Sequence, residues 1–286
     1  MPPELSGLNG AAMPHSLVAD PRADAILIRP IVSREEFRAC VALQCAVWGT
    51  GFTDSVPASL LQVATYVGGL VLGAFAAGDV LAGFVFGLTG VKDGQVVHWS
   101  HLLAVRDEAR NLGVGRRLKE AQRTALAAIG VERTSWSFDP LVAKNAHLNL
   151  NRLGARVSAY VPNMYGTMES DLHFGLATDR LVVTCVTDST PRPLPANVSS
   201  FPVLTTVPGD SDVLLDTSIR PRDCLIEIPT DISEVVAHDP DTAVAWREQV
   251  RVDMQWALAQ GCDVIGIHRD VVTSRTFYVL QQPNAV

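Results

Sequence analysis

The residues with the clearest chemical potential are two closely spaced glycines, Gly113 and Gly115. Glycine lets backbone N–H groups turn toward an anion without obstruction by a Cβ atom. A strong helical pattern begins here, and the N-terminus of a helix adds partial positive charge. Six basic and three acidic residues lie between Arg106 and Arg123, inside a chain of net charge −7. The segment is therefore a candidate phosphate-binding turn.

Two common phosphate-binding motifs do not fit this segment. A Walker A loop requires Lys and then Ser or Thr after its last glycine, whereas Arg116 and Arg117 follow here. A dinucleotide fingerprint requires a third glycine, and Leu118 occupies that position. The remaining alternatives are another anion-binding helix and a capped amphipathic helix with a solvated basic face.

Strand and helix patterns alternate around the glycine pair. The predicted strands are 25–31, 70–76, 80–88, 96–105, 133–138, 155–161 and 180–186. The predicted helices begin at a capping box of Ser33 and Glu36, after Pro57, at Gly113, and at Asp139–Pro140. This order predicts an α/β protein.

The uncharged run 60–77 is long enough to suggest a membrane-spanning helix. However, Gly68 and Gly69 interrupt the run, and Gly78 with Asp79 fits a hairpin turn. Strands buried on both faces read as continuous apolar runs. A β-hairpin within a sheet is therefore the prediction.

Composition limits the class of protein further. The chain has 286 residues, 48% of them hydrophobic and 19% charged, which is ample material for a buried core. Its net charge of −7 argues against nucleic-acid binding through overall positive charge. Five widely spaced cysteines without a C-x-x-C pattern fit a reduced, cytoplasmic chain without a zinc site. Residues 1–24 lack an export signal and are predicted to be a flexible leader.

The last third of the chain has a different character. Residues 188–217 are predicted to be a proline-rich connector, and residues 218–286 a smaller β-α-β-β extension. Arg247 and Arg251 are four residues apart on the predicted helix near 241–260. Either they bind a substrate carboxylate, or they pair with acids such as Glu248.

The glycine pair and its neighbours resemble a known family. The pattern Arg110-x-x-Gly113-x-Gly115, after the strand residues 101–105, resembles the coenzyme A motif of the GNAT superfamily of N-acetyltransferases. The order of elements agrees from Ile26 to Val186. Four further segments, 139–141, 145–147, 153–154 and 165–166, resemble predicted GNAT acyltransferases with an extended C-terminus.

This resemblance implies a twisted mixed sheet over residues 25–187, whose two central parallel strands splay apart and are flanked by helices. It also implies that acetyl-CoA or another acyl-CoA is the co-substrate and that no metal takes part. The pantetheine arm would lie along the motif strand, and the diphosphate on N–H groups of the glycine turn. The residues so assigned to coenzyme A are Leu103, Ala104, Val105, Arg110, Asn111, Leu112, Gly113, Val114, Gly115 and Arg116.

Acyl transfer to an amine requires a base, because amines with a pKa of ~10.4 are protonated near neutral pH. His101 is the candidate, at a position where some arylalkylamine N-acetyltransferases of the superfamily carry histidine. The alternative is a hydrogen-bonded core histidine. His98 is three residues away and therefore on the opposite strand face, which argues against a metal pair.

The departing thiolate benefits from a proton donor, commonly a tyrosine in this superfamily, but Leu150 stands at that position. Tyr165 is the candidate acid, because it follows the next strand; the alternative is a packed loop aromatic. Asn145 shares a helical stripe with Asn149 and Arg152. Asn145 is therefore a candidate to bind pantetheine amides or substrate, unless the stripe is an ordinary solvated face.

The sequence thus predicts a cytoplasmic N-acyltransferase. It would move an acetyl or related short acyl group from acyl-CoA to a primary amine of a small molecule, by direct attack in a ternary complex. Neither nucleic acid nor membrane is an expected partner, and a homodimer is left open. The alternatives are a non-catalytic acyl-CoA binding or sensing module and a nucleotide-binding oxidoreductase.

Overall fold

A computed structural model describes residues 25–52, 54–166, 176–205 and 223–283. The predicted leader, residues 1–24, lies outside the described residues, as does the end of the predicted connector, 206–217. The described chain contains a seven-stranded and a four-stranded sheet.

The larger sheet has the strand order β1-β2-β3-β4-β5-β7-β6, and β4–β5 is its parallel pair. Its strands are β1 Leu27–Pro30, β2 Leu70–Ala76, β3 Val80–Lys92, β4 Gln95–Val105, β5 Arg133–Phe138, β6 Arg156–Val161 and β7 Arg180–Val186. Strands β2 and β3 form the predicted hairpin. No helix in the described ranges is both long enough and apolar enough to cross a membrane.

Helices cover both faces of this sheet. They are α1 Arg34–Trp48, α2 Ala58–Tyr66, α3 Val114–Ala127 and α4 Ala143–Ala146, which continues as a π-helix, His147–Arg152. Helices α1 and α2 pack against Phe84, Phe86 and Ala104 on one face. Helix α3 packs against Val85 and its neighbours on the other face. The mixed sheet with flanking helices is as predicted.

Local signals set the start of α1 but not of α4. The capping box is present, since Ser33 Oγ accepts from the N–H of Glu36 at 3.1 Å. Asp139, in contrast, does not begin a helix as predicted, because α4 starts at Ala143. Its carboxylate instead accepts from the N–H of Leu141 at 2.8 Å and caps a turn.

The C-terminal region forms the smaller sheet, with strand order β10-β11-β9-β8. Its elements are β8 Val203–Thr205, β9 Asp223–Ile228, α5 Ile232–His238, α6 Pro240–Ala259, β10 Asp263–Arg269 and β11 Thr276–Gln281. Strand β8 lies inside the predicted connector. It is a short edge strand that directly follows Pro202, a position where a missing N–H does not interrupt a ladder.

Helix α6 joins the two sheets through one core. Trp246, Val250 and Met254 belong to the same buried cluster as Trp136 and Leu181 of the larger sheet. Two salt bridges cross this contact. Arg247 donates to Asp139 at 2.9 and 2.6 Å, and Arg251 to Asp179 at 2.7 and 2.8 Å. The two arginines therefore pair with acids of the larger sheet, which is the second of the two alternatives that the sequence left open.

Candidate active site

A gap between β4 and β5 is the central feature of the larger sheet. These parallel strands pair only through His98 with Thr134 and Trp99 with Ser135. Beyond these pairs, β4 continues to Val105 and β5 to Phe138. No described strand lies between the two unpaired continuations, residues 100–105 and 136–138. The central strands therefore splay apart, as expected, and leave one edge of β4 available for pairing with an extended ligand.

A β-bulge in β4 decides where His101 points. Phe86 of β3 pairs with Leu102 and Gly87 with Ser100, so His101 is the extra residue. The His101 ring is exposed and lies edge-on to Phe86, with ring centroids 6.1 Å apart. It therefore lies on the face of α1 and α2, at the edge of the gap.

His98 lies on the opposite face, as expected, and is buried under α3. Its ring nitrogens contact Thr89 Oγ1 at 3.0 Å and Gln122 Nε2 at 3.2 Å. Since the Thr89 hydroxyl donates to the carbonyl of Gly68, Nδ1 of His98 is the donor to Thr89 and Nε2 the acceptor. Burial lowers the pKa of His98 to about 4, which agrees with a neutral ring.

The protonation of His101 suits a base. Although His101 remains accessible to solvent, the groups packed around its ring partly desolvate it and lower its pKa below the ordinary value of 6.5, while the charge of Asp54 acts in the opposite direction. The ring is therefore mostly neutral near pH 7 and has a nitrogen lone pair that can accept a proton.

The glycine turn ends at the N-terminus of α3 without a side-chain cap. Asn111 and Gly113 adopt positive φ angles of 64° and 71°. A Cβ atom on Gly113 would meet nothing within 4 Å, so the glycine is required by its conformation. Within the described ranges, the N–H groups of residues 111–116 have no hydrogen-bond acceptor. Such a row of unpaired donors is an anion-binding feature.

The basic residues around this turn have different roles. Arg106, Arg117 and Arg123 donate to the carbonyl oxygens of Leu81, Ile26 and Ser189, at 2.7, 2.7 and 3.1 Å. Arg110 and Arg116 remain about half exposed near the helix N-terminus, beside Asp107 and Glu120 respectively. Positive charge for a ligand therefore comes from these two arginines and the helix end.

The remaining residues assigned to coenzyme A line the same edge. Leu103 and Val105 pack on the α3 face of β4, together with Leu112 and Val114. Ala104 points to the other face and is buried. The backbone of residues 103–105 therefore borders the gap, while its side chains anchor β4 to both layers.

Asn145 does not join the predicted stripe. It is exposed near the start of α4, whereas Asn149 is buried and accepts from Trp136 Nε1 at 3.0 Å. Arg152 donates to His147 at 3.3 Å. The π-helix widens the turn beyond 3.6 residues, which changes the spacing on which the stripe was based.

Tyr165 lies on the β5 side of the gap. Its hydroxyl is 3.1 Å from Ser137 Oγ, and the side chain is 40% exposed. Ser137 alternates along β5 with Trp136, which faces α3, so Tyr165 and His101 lie on the same face of the sheet. Leu150 is buried in the core.

Sequence reasoning missed Lys119, which lies where β4 and β5 begin to diverge. Its side chain is buried, with Nζ 2.7 Å from Ser100 Oγ and 3.9 Å from the centre of the Trp136 ring. The available signal was helical spacing, since Lys119 lies three and seven residues before the buried Gln122 and Leu126. In the described part of the chain, no group of three His, Cys, Asp or Glu residues is arranged to hold a metal ion.

Comparison with known proteins gives matches at the level of structure alone. No protein-family model matches the chain, and no curated protein matches it. A putative acetyltransferase of the GNAT family from Desulfovibrio desulfuricans is 16% identical, with a TM-score of 0.45, over 57% of this chain and 99% of that chain. The yncA protein of Salmonella typhimurium, a putative acetyltransferase with its cofactor acetyl-CoA, is 18% identical, with a TM-score of 0.46, over 59% and 98%.

A third match is the ribosomal-protein-S18-alanine N-acetyltransferase of Escherichia coli, 18% identical, with a TM-score of 0.42 over 59% of this chain and 99% of that chain. The structures matched are GNAT-family acetyltransferases. At these identities, activity has to be argued from the residues of the site itself.

Proposed function

We propose that this chain is a GNAT-type N-acyltransferase that moves an acetyl or related short acyl group from acyl-CoA to a primary amine of a small molecule. The observation that carries the proposal is the gap between β4 and β5, together with the unpaired N–H groups of residues 111–116. An acyl-CoA is elongated, with a thioester at one end and a diphosphate nearer the other. A strand edge and an anion-binding turn, joined by one connection, match those two chemical features.

The residues present suit this co-substrate. Amide groups of the pantetheine arm provide donors and acceptors that can pair with the backbone of residues 103–105. The diphosphate would accept from the N–H groups of residues 111–116, with Arg110 and Arg116 adding charge at its rim. Asn145 is exposed and would contact the ligand from α4.

The placement of two candidate side chains on one face of the sheet supports direct attack in a ternary complex. His101 would remove a proton from the incoming ammonium group, directly or through a water. The amine nitrogen then attacks the thioester carbon, and a backbone N–H at the edge of β4 stabilises the oxyanion. As the C–S bond breaks, the Tyr165 hydroxyl would protonate the thiolate. Its contact with Ser137 orients that hydroxyl.

The acceptor is proposed to be a cationic small-molecule amine. The chain carries a net charge of −7, and Asp54 interacts electrostatically with His101. Both features favour a positively charged acceptor over a nucleic acid. All five cysteines are unpaired, and we place the protein in the reducing cytoplasm.

Calorimetry and thiol detection together test this proposal. Acetyl-CoA is expected to bind the purified protein, and free thiol to appear only when a suitable amine is added. Binding without thiol release over a broad amine panel would instead support an acyl-CoA sensing module. Failure to bind any acyl-CoA would contradict the proposal, and preferential binding of NAD would favour an oxidoreductase.

Replacement of His101 by alanine is expected to lower kcat about 10²–10⁴-fold, because a general base contributes this much to proton transfer. Affinity for acetyl-CoA should stay unchanged. The wild-type kcat should fall as pH decreases through a value below 6.5, since burial lowers the pKa of His101 and protonation removes the base. The variant should lack this acidic limb.

A pH–rate profile from pH 5 to 9 measures both effects, and His238→Ala is the matched control, because His238 is an exposed histidine on α5. An unchanged acidic limb in the His101 variant would assign the titration to another group.

A further inference from the structure

Lys119 differs from the other lysines of the chain in its surroundings. The sequence contains three lysines, Lys92, Lys119 and Lys144. Lys92 and Lys144 are exposed, whereas the Lys119 side chain is buried within the larger sheet and α3. Placing an ammonium group inside a protein without a counter-charge is costly. A buried lysine therefore needs an explanation that the other two do not.

The neighbours of Lys119 do not include a compensating acid. Across the described residues, Lys119 forms no ion pair. Its Nζ contacts the Ser100 hydroxyl and the Trp136 ring. The side chain also borders a cavity of about 20 Å³, lined by Lys119, Gln122, Arg123, Thr134, Trp136, Leu153 and Cys185. No carboxylate lines this cavity, and Arg123 adds a second positive charge.

These surroundings favour the neutral amine. Burial lowers the pKa of Lys119 to about 7, while the nearby Cys185 acts weakly in the opposite direction. A large fraction of Lys119 is therefore uncharged near neutral pH and has a nucleophilic lone pair. Lys92 and Lys144 are exposed to solvent and have no comparable surroundings.

Lys119 lies at one end of the gap between β4 and β5, where its amine could meet a bound thioester. Strands β4 and β5 pair last at Trp99 and Ser135, and the next residue on each strand is Ser100 and Trp136. These are the two residues that Nζ contacts, so Lys119 marks the closed end of the gap. An acyl-CoA whose diphosphate lies at the start of α3 would direct its thioester toward this end.

We propose that Lys119 is an internal acyl acceptor, which is acylated on Nζ by the acyl-CoA bound in the gap. The inference rests on the proposed function, since it requires the thioester to enter the gap. The Nζ lone pair attacks the thioester carbon, the C–S bond breaks, and the amine proton leaves with the thiolate as the free thiol of coenzyme A. The product is an amide on Lys119.

The modification has a consequence for the enzyme. A free lysine amine is charged in the unfolded chain and has to lose much of that charge on burial, whereas an amide is neutral in both states. Acylation therefore removes a cost of folding, and the unfolding temperature of the acylated protein should rise. The added acyl group also occupies the closed end of the gap, where the next thioester would be positioned. Acylation of Lys119 would thus make a more stable protein with lower activity toward external amines.

The test is incubation of the full chain with acetyl-CoA and no amine, followed by tryptic mapping of the three lysines. Acetylation of Lys119 is expected to exceed that of Lys92 and Lys144 by about ten-fold or more, because the thioester is held beside it. Acetyl-lysine resists trypsin, so modified protein yields the joined peptide Leu118–Arg123. A small acetylating reagent that does not use the coenzyme A site should instead label the two exposed lysines first.

Variants separate this proposal from the proposed function. Lys119→Arg and Lys119→Met should both bind acetyl-CoA by calorimetry, and neither should be acetylated at position 119. Two variants are used so that the test survives if one of them fails to fold. Binding of acetyl-CoA by the wild type with Lys119 left unmodified would overturn the internal acceptor and leave the proposed function intact. Acetylation of Ser100 instead would also overturn it. Absence of acyl-CoA binding would overturn both.

Discussion

Replacement of Gly115 by aspartate is expected to weaken acetyl-CoA binding by about 100-fold or more. Gly115 is the second residue of α3, within the row of unpaired N–H groups assigned to the diphosphate. A carboxylate there would face bound phosphate charge. Two like charges ~4 Å apart repel by about 4 kcal/mol in a partly solvated site, which is enough to account for this loss.

The unliganded fold should tolerate this change. Gly115 does not have a positive φ, and a Cβ atom there would lie 3.6 Å from Leu103 Cδ2 and 3.9 Å from Val105 Cγ2, which are ordinary contacts. An acidic residue in the first turn of a helix stabilises it by about 0.3–1 kcal/mol. Stability and ligand affinity should therefore change in opposite directions, which general damage to the fold would not produce.

Ser59→Asp is a matched control for charge and position. Ser59 is exposed and is also the second residue of its helix, α2. Calorimetry with acetyl-CoA and thermal unfolding measure the two effects in both variants. Equal affinity of the Gly115 and Ser59 variants for acetyl-CoA would contradict the assignment of the diphosphate to this turn.

Much of the fold was predictable because its signals are local. The capping box at Ser33, the hairpin turn at Gly78 and the glycine turn before α3 each depend on a few adjacent residues. The bulge at His101 was not predictable, because it depends on the register between β3 and β4. The π-helix and the edge strand β8 likewise depend on partners distant in sequence.

The candidate site likewise has some features that local sequence indicates and others that depend on the tertiary structure. Unpaired N–H groups follow from glycine and the start of a helix, so the sequence could indicate them. Which charges remain available for a ligand is a tertiary property. The sequence allows Arg247 and Arg251 either a substrate carboxylate or acidic partners in the chain, and in the structure they pair with Asp139 and Asp179. The sequence places Lys119 among six basic residues around the glycine turn, without distinguishing it from the others, but its side chain is buried.

Asp179 links the C-terminal region to the candidate site. Its carboxylate is fully buried and accepts from Arg251 of α6, from Tyr160 Oη at 2.6 Å and from the N–H of Asn163 at 2.9 Å. Asn163 lies in the turn of residues 162–165, which carries Tyr165. Helix α6 is therefore connected through one carboxylate to the segment that positions the candidate acid.

Replacement of Asp179 by asparagine should lower the free energy of unfolding by about 3 kcal/mol, because it breaks a buried ion pair and leaves Arg251 without its partner. Burial alone would raise the pKa of Asp179, but hydrogen bonds from Arg251, Tyr160 and Asn163 outweigh it and hold the pKa below its usual value. A lowered pKa in the folded state contributes stability above the unfolded pKa of ~3.9. That contribution is lost as pH falls through the folded value.

Urea unfolding between pH 2 and 7 tests this in the wild type and in Asp179→Asn, and the variant should lack the acid-dependent part of the stability. Asp263→Asn is the matched control, since its pair with Arg192 is partly exposed and should contribute about 1 kcal/mol or less. If the C-terminal region also supports catalysis, Asp179→Asn should lower kcat through Tyr165 while affinity for acetyl-CoA, bound on the β4 side, stays unchanged. Equal stability losses in the two variants would mean that the Asp179 ion pair contributes no more than an exposed pair. That result would contradict the proposed connection between α6 and the candidate site.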